Sequence, residues 1–543
     1  MKPSAAPLLE IRGLHIQGQS GEVWQDIVKD INLTLRRSEV LGLIGESGAG
    51  KSTLGLAAMG YARAGCRILS GTISFDGLDL IAMPEAEKRR LWGTRIAYVA
   101  QSAAASFNPA HRLIDQYKEV PVYHGKSGEA EAERNAHAVF RRLHLPEPER
   151  IGLRYPHQVS GGQLQRVMTA MAMACGPDLI VFDEPTTALD VTTQIEVLAA
   201  IKELVRNSNM AAIYISHDLA VVAQMADRVM VLRYGRLVEE ARTGEMLAHP
   251  RQPYTKSLWA VRSLNKSEES GGDVVLSVRG VDAAYSGVVK VLHDVNLEVR
   301  RGRTVAVVGE SGSGKSTLAR VITGLLPPHK GEIVFAGKPL PPALSERPKD
   351  MLRRIQMIYQ MPDMALNPRR RVRDILGRTL ELHRGLSGAA RENRIVELLE
   401  MIELDAGFLN RLPSELSGGQ KQRICIARAL AVEPDLIICD EVTSALDQIV
   451  AEGILKLLLR LQKELGVSYV YITHDLATVK AIADWIVVMQ WGKVVQQGPK
   501  GEVLTPPHHP YTELLLSSVP EMRTDWLDRL LNARRVGAQA TSA

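Results

Sequence analysis

The chain has 543 residues and a formal net charge of +5. That length exceeds what one hydrophobic core organises, so two or more domains are expected, and the scattered basic residues give no nucleic-acid-binding patch. The four cysteines, Cys66, Cys175, Cys425 and Cys439, lack metal-ligand spacing, and Cys425 and Cys439, in apolar surroundings, read as buried reduced thiols suited to a reducing cytoplasm. The first residues lack the basic-then-apolar pattern of a signal peptide. No apolar run reaches the roughly 20 residues of a membrane span. The nearest, Val167–Phe182, is broken by Gly176, Pro177 and Asp178 and reads as a buried helix, a turn and a core strand. If a membrane is involved, another chain must supply it.

Residues 1–35 alternate apolar and polar positions and predict antiparallel strands. Val40–Ile44 is an apolar strand-like run. It leads into Gly45-Glu46-Ser47-Gly48-Ala49-Gly50-Lys51-Ser52-Thr53, which fits the phosphate-binding pattern G-x-x-x-x-G-K-[ST]. A helix is expected from there to about Met59. Strands follow at Gly71–Phe75 and Arg95–Val99, the latter ending at Gln101, and residues 109–158 carry charge at helical spacing. Ser160-Gly161-Gly162-Gln163 opens another helix. Leu179–Phe182 is wholly apolar and ends in Asp183-Glu184, as expected of a strand at the centre of a parallel sheet. Ala211–Ile215 is the next such strand, ending at His217. Arg228–Leu232 and Arg236–Val238 suggest a hairpin around Tyr234-Gly235. Polar Ser263–Asp273 is read as a linker.

From about Val274 the scheme repeats. The second phosphate loop runs Gly309-Glu310-Ser311-Gly312-Ser313-Gly314-Lys315-Ser316-Thr317 after the strand Thr304–Val308. Ser160 and Ser417, Asp183 and Asp440, His217 and His474, and Tyr254 and Tyr511 all share one offset of 257 residues. A duplicated domain explains this. The expected boundaries are 1–262, a linker 263–273, 274–522 and a tail 523–543. The tail would hold an amphipathic helix (Trp526, Leu527, Leu530, Leu531) and a disordered small-residue end.

The chemistry of these stretches is phosphate chemistry. Glycines let the loop curl its N–H groups toward phosphates, Lys51 and Lys315 add a point charge, and Ser52 and Ser316 each offer a hydroxyl oxygen to Mg²⁺. Ser160-Gly161-Gly162-Gln163 and Ser417-Gly418-Gly419-Gln420 place a hydroxyl and N–H groups at a second helix start, again suited to an anion. With the phosphate loops they match the signature of the ATP-binding-cassette (ABC) ATPases, and the resemblance covers almost the whole chain, every diagnostic motif appearing twice. It implies an α/β fold: tandem ABC-type P-loop NTPase domains, each with a mixed/parallel sheet core, an antiparallel β subdomain and a helical subdomain. It further implies that each nucleotide is sandwiched head to tail, between one domain's phosphate loop and the other's signature. Asp183 and Asp440 resemble the Mg²⁺-holding Walker B aspartates, Glu184 and Glu441 the bases for the attacking water, and His217 and His474 the switch histidines. Gln101 and Gln360 resemble the Q-loop residue near the metal and its water, at the joint where a membrane partner docks. Thr187–Asp190 and Ser444–Asp447 resemble the D-loop. Tyr285 falls where the family stacks an aromatic on adenine. The matching position in the first half is Gly18, with Trp24 or His15 as candidate substitutes.

His249–Thr255 and His508–Thr512 each contain Pro-Tyr-Thr leading into a Leu-rich helix. They resemble the carboxyl-terminal element of oligopeptide/dipeptide-type importer ATPases. Gln165–Ala172 resembles one subunit type of those importers and Gln422–Leu430 the other, as though both were fused. The resemblance implies ATP and Mg²⁺, two multispanning membrane permease subunits, a periplasmic or extracellular solute-binding protein, no nucleic acid, and a peripheral place on the cytoplasmic face of the inner membrane. Some relatives carry a cysteine-bound iron–sulfur cluster after this element. Neither tail here has cysteine, so none is expected. The alternative is a soluble tandem ATPase acting on ribosomes. That class would carry a long charged helical linker, and Ser263–Asp273 is too short.

Overall fold

The structure is a computed structural model that describes residues 6–187, 189–260, 264–269, 271–285 and 289–541. It divides into two compact units, Met1–Trp259 with Pro520–Ala543, and Ala260–Val519.

The strands of the first unit are β1 (Leu9–Ser20), β2 (Val23–Leu35), β3 (Val40–Ile44), β4 (Cys66–Phe75), β5 (Leu78–Asp79), β6 (Ile96–Val99), β7 (Leu179–Asp183), β8 (Ala211–Ile215), β9 (Arg228–Arg233) and β10 (Arg236–Arg242). They form a four-stranded sheet, β2-β1-β4-β5, and a six-stranded sheet, β10-β9-β3-β8-β7-β6. The second is parallel from β6 to β9, and antiparallel β10 closes its edge. Strands β3, β7 and β8 are buried at every position, as expected of a parallel sheet covered on both faces; one face shares its core with the first helix and the antiparallel sheet. The turn between β9 and β10 is Tyr234-Gly235, both at positive φ, as a two-residue hairpin loop demands. The first helix ends at Ala57 rather than about Met59, and β4 begins five residues before the expected Gly71.

The helical part contains Leu113–Tyr123, Glu129–Arg142 and Gly161–Met173. Ala132, Ala136 and Phe140, four apart, form the buried stripe of the middle helix, and Phe140 meets Tyr117 edge to face at 5.7 Å.

The second unit repeats the plan. Its strands are β11 (Val274–Tyr285), β12 (Val289–Arg300), β13 (Thr304–Val308), β14 (Lys330–Phe335), β15 (Lys338–Pro339), β16 (Ile355–Ile358), β17 (Leu436–Asp440), β18 (Ser468–Thr473), β19 (Trp485–Gln490) and β20 (Lys493–Pro499). They build sheets β12-β11-β14-β15 and β16-β17-β18-β13-β19-β20. Cys425 and Cys439 lie in its core.

Two polar segments depart from the sequence reading. Part of the expected linker, residues 264–269, is docked on the second unit, while Ser263 and Ser270 lie outside the described residues. Lys266 donates to buried Asp484 at 2.5 Å and to Gln462 at 2.8 Å, and Glu268 accepts from the Gly501 N–H at 2.9 Å. The terminal segment Pro520–Ala543 groups with the first unit. Its helix runs Trp526–Thr541, into the small-residue end expected to be disordered, whose Ser542 and Ala543 lie outside the described residues. Trp526 and Leu527 are buried, and Asp528 pairs with Lys202 and Arg206 at 3.1 and 3.3 Å. The buried Gln224 amide donates to the carbonyls of Glu521 and Arg523 and accepts from the Leu527 N–H. Spacing in the sequence reveals an amphipathic helix but not the surface that its apolar side covers.

Candidate functional site: a phosphate loop, two acids and a histidine in each unit

Each phosphate loop leaves the C-terminal end of a central strand, β3 or β13. Glycine is obligatory at its first position. Gly45 has φ +151°, and a Cβ there would stand 2.2 Å from the Leu232 carbonyl oxygen; Gly309 has φ +154° and the same 2.2 Å conflict with Met489. Gly48, Gly50, Gly312 and Gly314 are also left-handed. Ser47, Gly48, Ser311 and Gly312 form the exposed rim. Lys51 is buried, and its ammonium donates to the carbonyls of Gly45 and Glu46 at 2.8 and 2.9 Å. Lys315 does the same with Gly309 and Glu310 at 2.8 and 2.7 Å. Thr53 and Thr317 follow in the first helical turns.

Asp183 ends β7 and accepts from the Ser52 hydroxyl at 2.9 Å, and Asp440 ends β17 and accepts from Ser316 at 3.1 Å. A carboxylate beside a hydroxyl is a pair of hard oxygen donors that fits Mg²⁺. Glu184 and Glu441 follow with φ +49° and +50°, a left-handed turn that carries each side chain away from the neighbouring aspartate. In the first unit one Glu184 oxygen faces three groups: the Gln101 amide at 3.1 Å, the Thr187 hydroxyl at 3.0 Å and His217 Nδ1 at 3.2 Å. In the second, Gln360 donates to Glu441 at 2.8 Å and His474 lies 3.2 Å from it. So each unit gathers its glutamine, glutamate and histidine at one place. The amide nitrogens of Gln101 and Gln360 lie on these glutamates, not on the Ser–Asp pairs.

Burial pushes the Glu184 carboxyl up, but His217, reinforced by Lys51, outweighs it and holds it below the ordinary range. Burial likewise pushes His217 down, and Glu184 more than compensates, leaving it raised. Glu441 and His474 behave in the same way.

Ser160 and Ser417 cap their helices in a reciprocal box: each hydroxyl accepts from the Gln163 or Gln420 N–H, and each Gln side chain accepts from the Ser N–H. The serines and the adjoining Gly161 and Gly418 are exposed. The second glycines do different work. A Cβ on Gly162 would lie 2.0 Å from Thr193 Cγ2, and one on Gly419 would lie 2.3 Å from Val450 Cγ1. Gly162→Ala is expected to cost about 2 kcal/mol by overpacking. Adding Thr193→Ser, which removes the colliding methyl, should recover most of it, as read by calorimetric unfolding of the double variant. Of the D-loop residues, Asp190 and Asp447 cap the helices that follow; Ala188 lies outside the described residues.

The two units differ at the base end. Tyr285 is held beside the second loop, its hydroxyl 3.0 Å from Arg320 and 3.4 Å from Thr317. At Gly18 a Cβ would meet Ile27 Cδ1 at 2.3 Å, so a side chain there requires Ile27 to shift. Trp24 lies under the Arg67 guanidinium at 4.0 Å, and His15 is bonded to Asp26 at 2.8 Å.

Sequence reasoning missed tyrosine hydroxyls in two places. Tyr98 on β6 donates to Asp183 at 2.7 Å, whereas the matching residue in the second unit is Met357. A phenol in an otherwise apolar strand was the available signal. In the second unit burial raises Asp440 and the adjacent Glu441 charge adds to that rise, against the lowering effect of Ser316. The Tyr254 and Tyr511 hydroxyls accept from the Glu46 and Glu310 N–H groups.

The family model described as "ABC transporter" matches residues 28–187 and 292–444, one stretch in each unit. The chain belongs to the ABC transporter family. A second model, "Oligopeptide/dipeptide transporter, C-terminal region", matches residues 495–541 of this ABC protein. It is 36% identical over 557 residues to the glutathione import ATP-binding protein GsiA of Salmonella choleraesuis, covering 94% of this chain and 89% of that one. It is 37% identical over 528 residues to the peptidoglycan transport ATP-binding protein YejF of Agrobacterium fabrum, covering 94% and 96%. Among the described residues of this ABC protein, no helix is long and apolar enough to cross a membrane.

Proposed function

We propose that this chain is the ATP-hydrolysing subunit of an importer for small peptides or related solutes, working from the cytoplasmic face of the inner membrane with two permease subunits and a solute-binding protein. The observation that carries the reading is the pairing, in each unit, of a phosphate loop with a Gln–Glu–His cluster, within a chain related along nearly its whole length to a glutathione import ATP-binding protein and a peptidoglycan transport ATP-binding protein. The oligopeptide/dipeptide C-terminal match favours peptide-like cargo.

In this reading Lys51 and Lys315 hold ATP phosphates from below the loop, and Tyr285 stacks on adenine in the second site. Ser160–Gln163 and Ser417–Gln420 meet the phosphates of a nucleotide carried by another cassette. Glu184 and Glu441 take a proton from the attacking water, while Gln101, Gln360, His217 and His474 fix their orientation. Ser52 with Asp183, and Ser316 with Asp440, would hold Mg²⁺, which when bound would neutralise charge on the phosphates. Closing and opening of the cassettes then moves the permease helices between outward and inward access.

Tyr98 holds Asp183 from the side away from Ser52. Tyr98→Phe should raise the Mg²⁺ concentration for half-maximal nucleotide binding at the first site about tenfold, read by fluorescent-nucleotide titration in a Lys315→Ala background. The import reading itself is tested by co-purification and reconstitution. Binding to two multispanning membrane proteins and ATP-dependent peptide uptake by the vesicles are expected. Sedimentation with ribosomes and no membrane partner would overturn it.

A further inference from the structure

The Pro-Tyr-Thr element occurs twice, outside the strands and loops that form the cassette's chemistry. Its prolines open short helices, Pro253–Ala260 and Pro510–Ser517, where proline sacrifices no hydrogen bond. The tyrosine one residue on is buried in both, 7% and 4% exposed. Tyr254 accepts from the N–H of Glu46 at 3.2 Å, across 208 residues of chain, and Tyr511 accepts from the N–H of Glu310 at 2.9 Å, across 201.

Glu46 and Glu310 are the residues immediately after the first glycine of each phosphate loop. Their carbonyls accept from Lys51 and Lys315. One residue is therefore gripped at both ends: its N–H by the tyrosine, its C=O by the phosphate-binding lysine. In the first unit the grip is braced further. The Arg233 guanidinium covers the Tyr254 ring at 4.4 Å and reaches the Glu46 carboxylate at 4.0 Å.

We propose that Tyr254 and Tyr511 are positioning residues for the phosphate loops, through which the carboxyl-terminal element sets the nucleotide affinity of its own unit. The inference rests on the ATP-site reading above. A phenol oxygen satisfies a loop N–H that does not face the phosphates, and so fixes the peptide whose carbonyl aims the lysine. Loss of the hydroxyl leaves the ring in place but frees that peptide.

The test uses the full chain with Tyr254→Phe and Tyr511→Phe together, and the trinitrophenyl derivative of ATP as probe. Its dissociation constant should rise about threefold to tenfold, the effect of one buried hydrogen bond at each site. Backbone hydrogen exchange should quicken in the peptides holding Glu46 and Glu310 and stay unchanged in β7 and β17. Unchanged affinity with unchanged loop exchange overturns the proposal. So does a loss of protection spread over the whole unit, which marks a merely structural residue. A Lys51→Ala, Lys315→Ala chain separates the two readings: if it still binds the probe as tightly, the nucleotide site itself is wrong rather than the role of the tyrosines.

Discussion

Exchanging Glu184 and Glu441 for glutamine together is expected to slow ATP turnover by about 10²–10⁴, the contribution of a positioned general base, while nucleotide binding persists. In the first unit a single carboxylate oxygen receives the Gln101, Thr187 and His217 contacts. A glutamine carbonyl can take that oxygen's place with its amide turned outward, so the constellation survives and only the basic lone pair is lost. Phosphate release from the purified double variant, beside retained binding of a fluorescent nucleotide, measures both halves of the expectation. Undiminished turnover would remove these glutamates from the chemistry.

Removing Pro520–Ala543 is expected to destabilise the first unit by about 4 kcal/mol, the sum for uncovering the surfaces that Trp526 and Leu527 bury. Gln224 would lose three backbone partners, and Lys202, itself buried, would lose Asp528. For a domain of this size the first unfolding transition should fall by about 10 °C, with the second unit's transition unmoved. Calorimetry of the chain ending at Val519 checks this. Two transitions at their original temperatures would show that the terminal helix adds nothing.

Most of the α/β plan was legible because central parallel strands are apolar throughout. Leu179–Phe182 and Ala211–Ile215 could hardly be anything else once bounded by turns. The phosphate loops were legible because left-handed glycines leave few other residues acceptable. What stayed hidden was carried by single polar atoms meeting across long chain separations. Nothing local announces that Tyr98 reaches Asp183, that Tyr254 reaches Glu46, or that Lys266 finds Asp484. The polar stretch at 264–269 shows why composition misleads: charged residues read as solvated until a buried opposite charge is found for them. Gly162 shows the reverse. Its motif points to an anion, yet the closest constraint on it is a methyl group of the next helix.

The return of the terminal segment to the first unit fixes an order of synthesis. A ribosome finishes Trp259 long before it reaches Pro520, so the nascent first unit must hold its core together with Gln224 and Lys202 still bare to water. Its folding is completed only by polypeptide made after the whole of the second unit, and translation arrested before Pro520 would yield a first cassette lacking that piece.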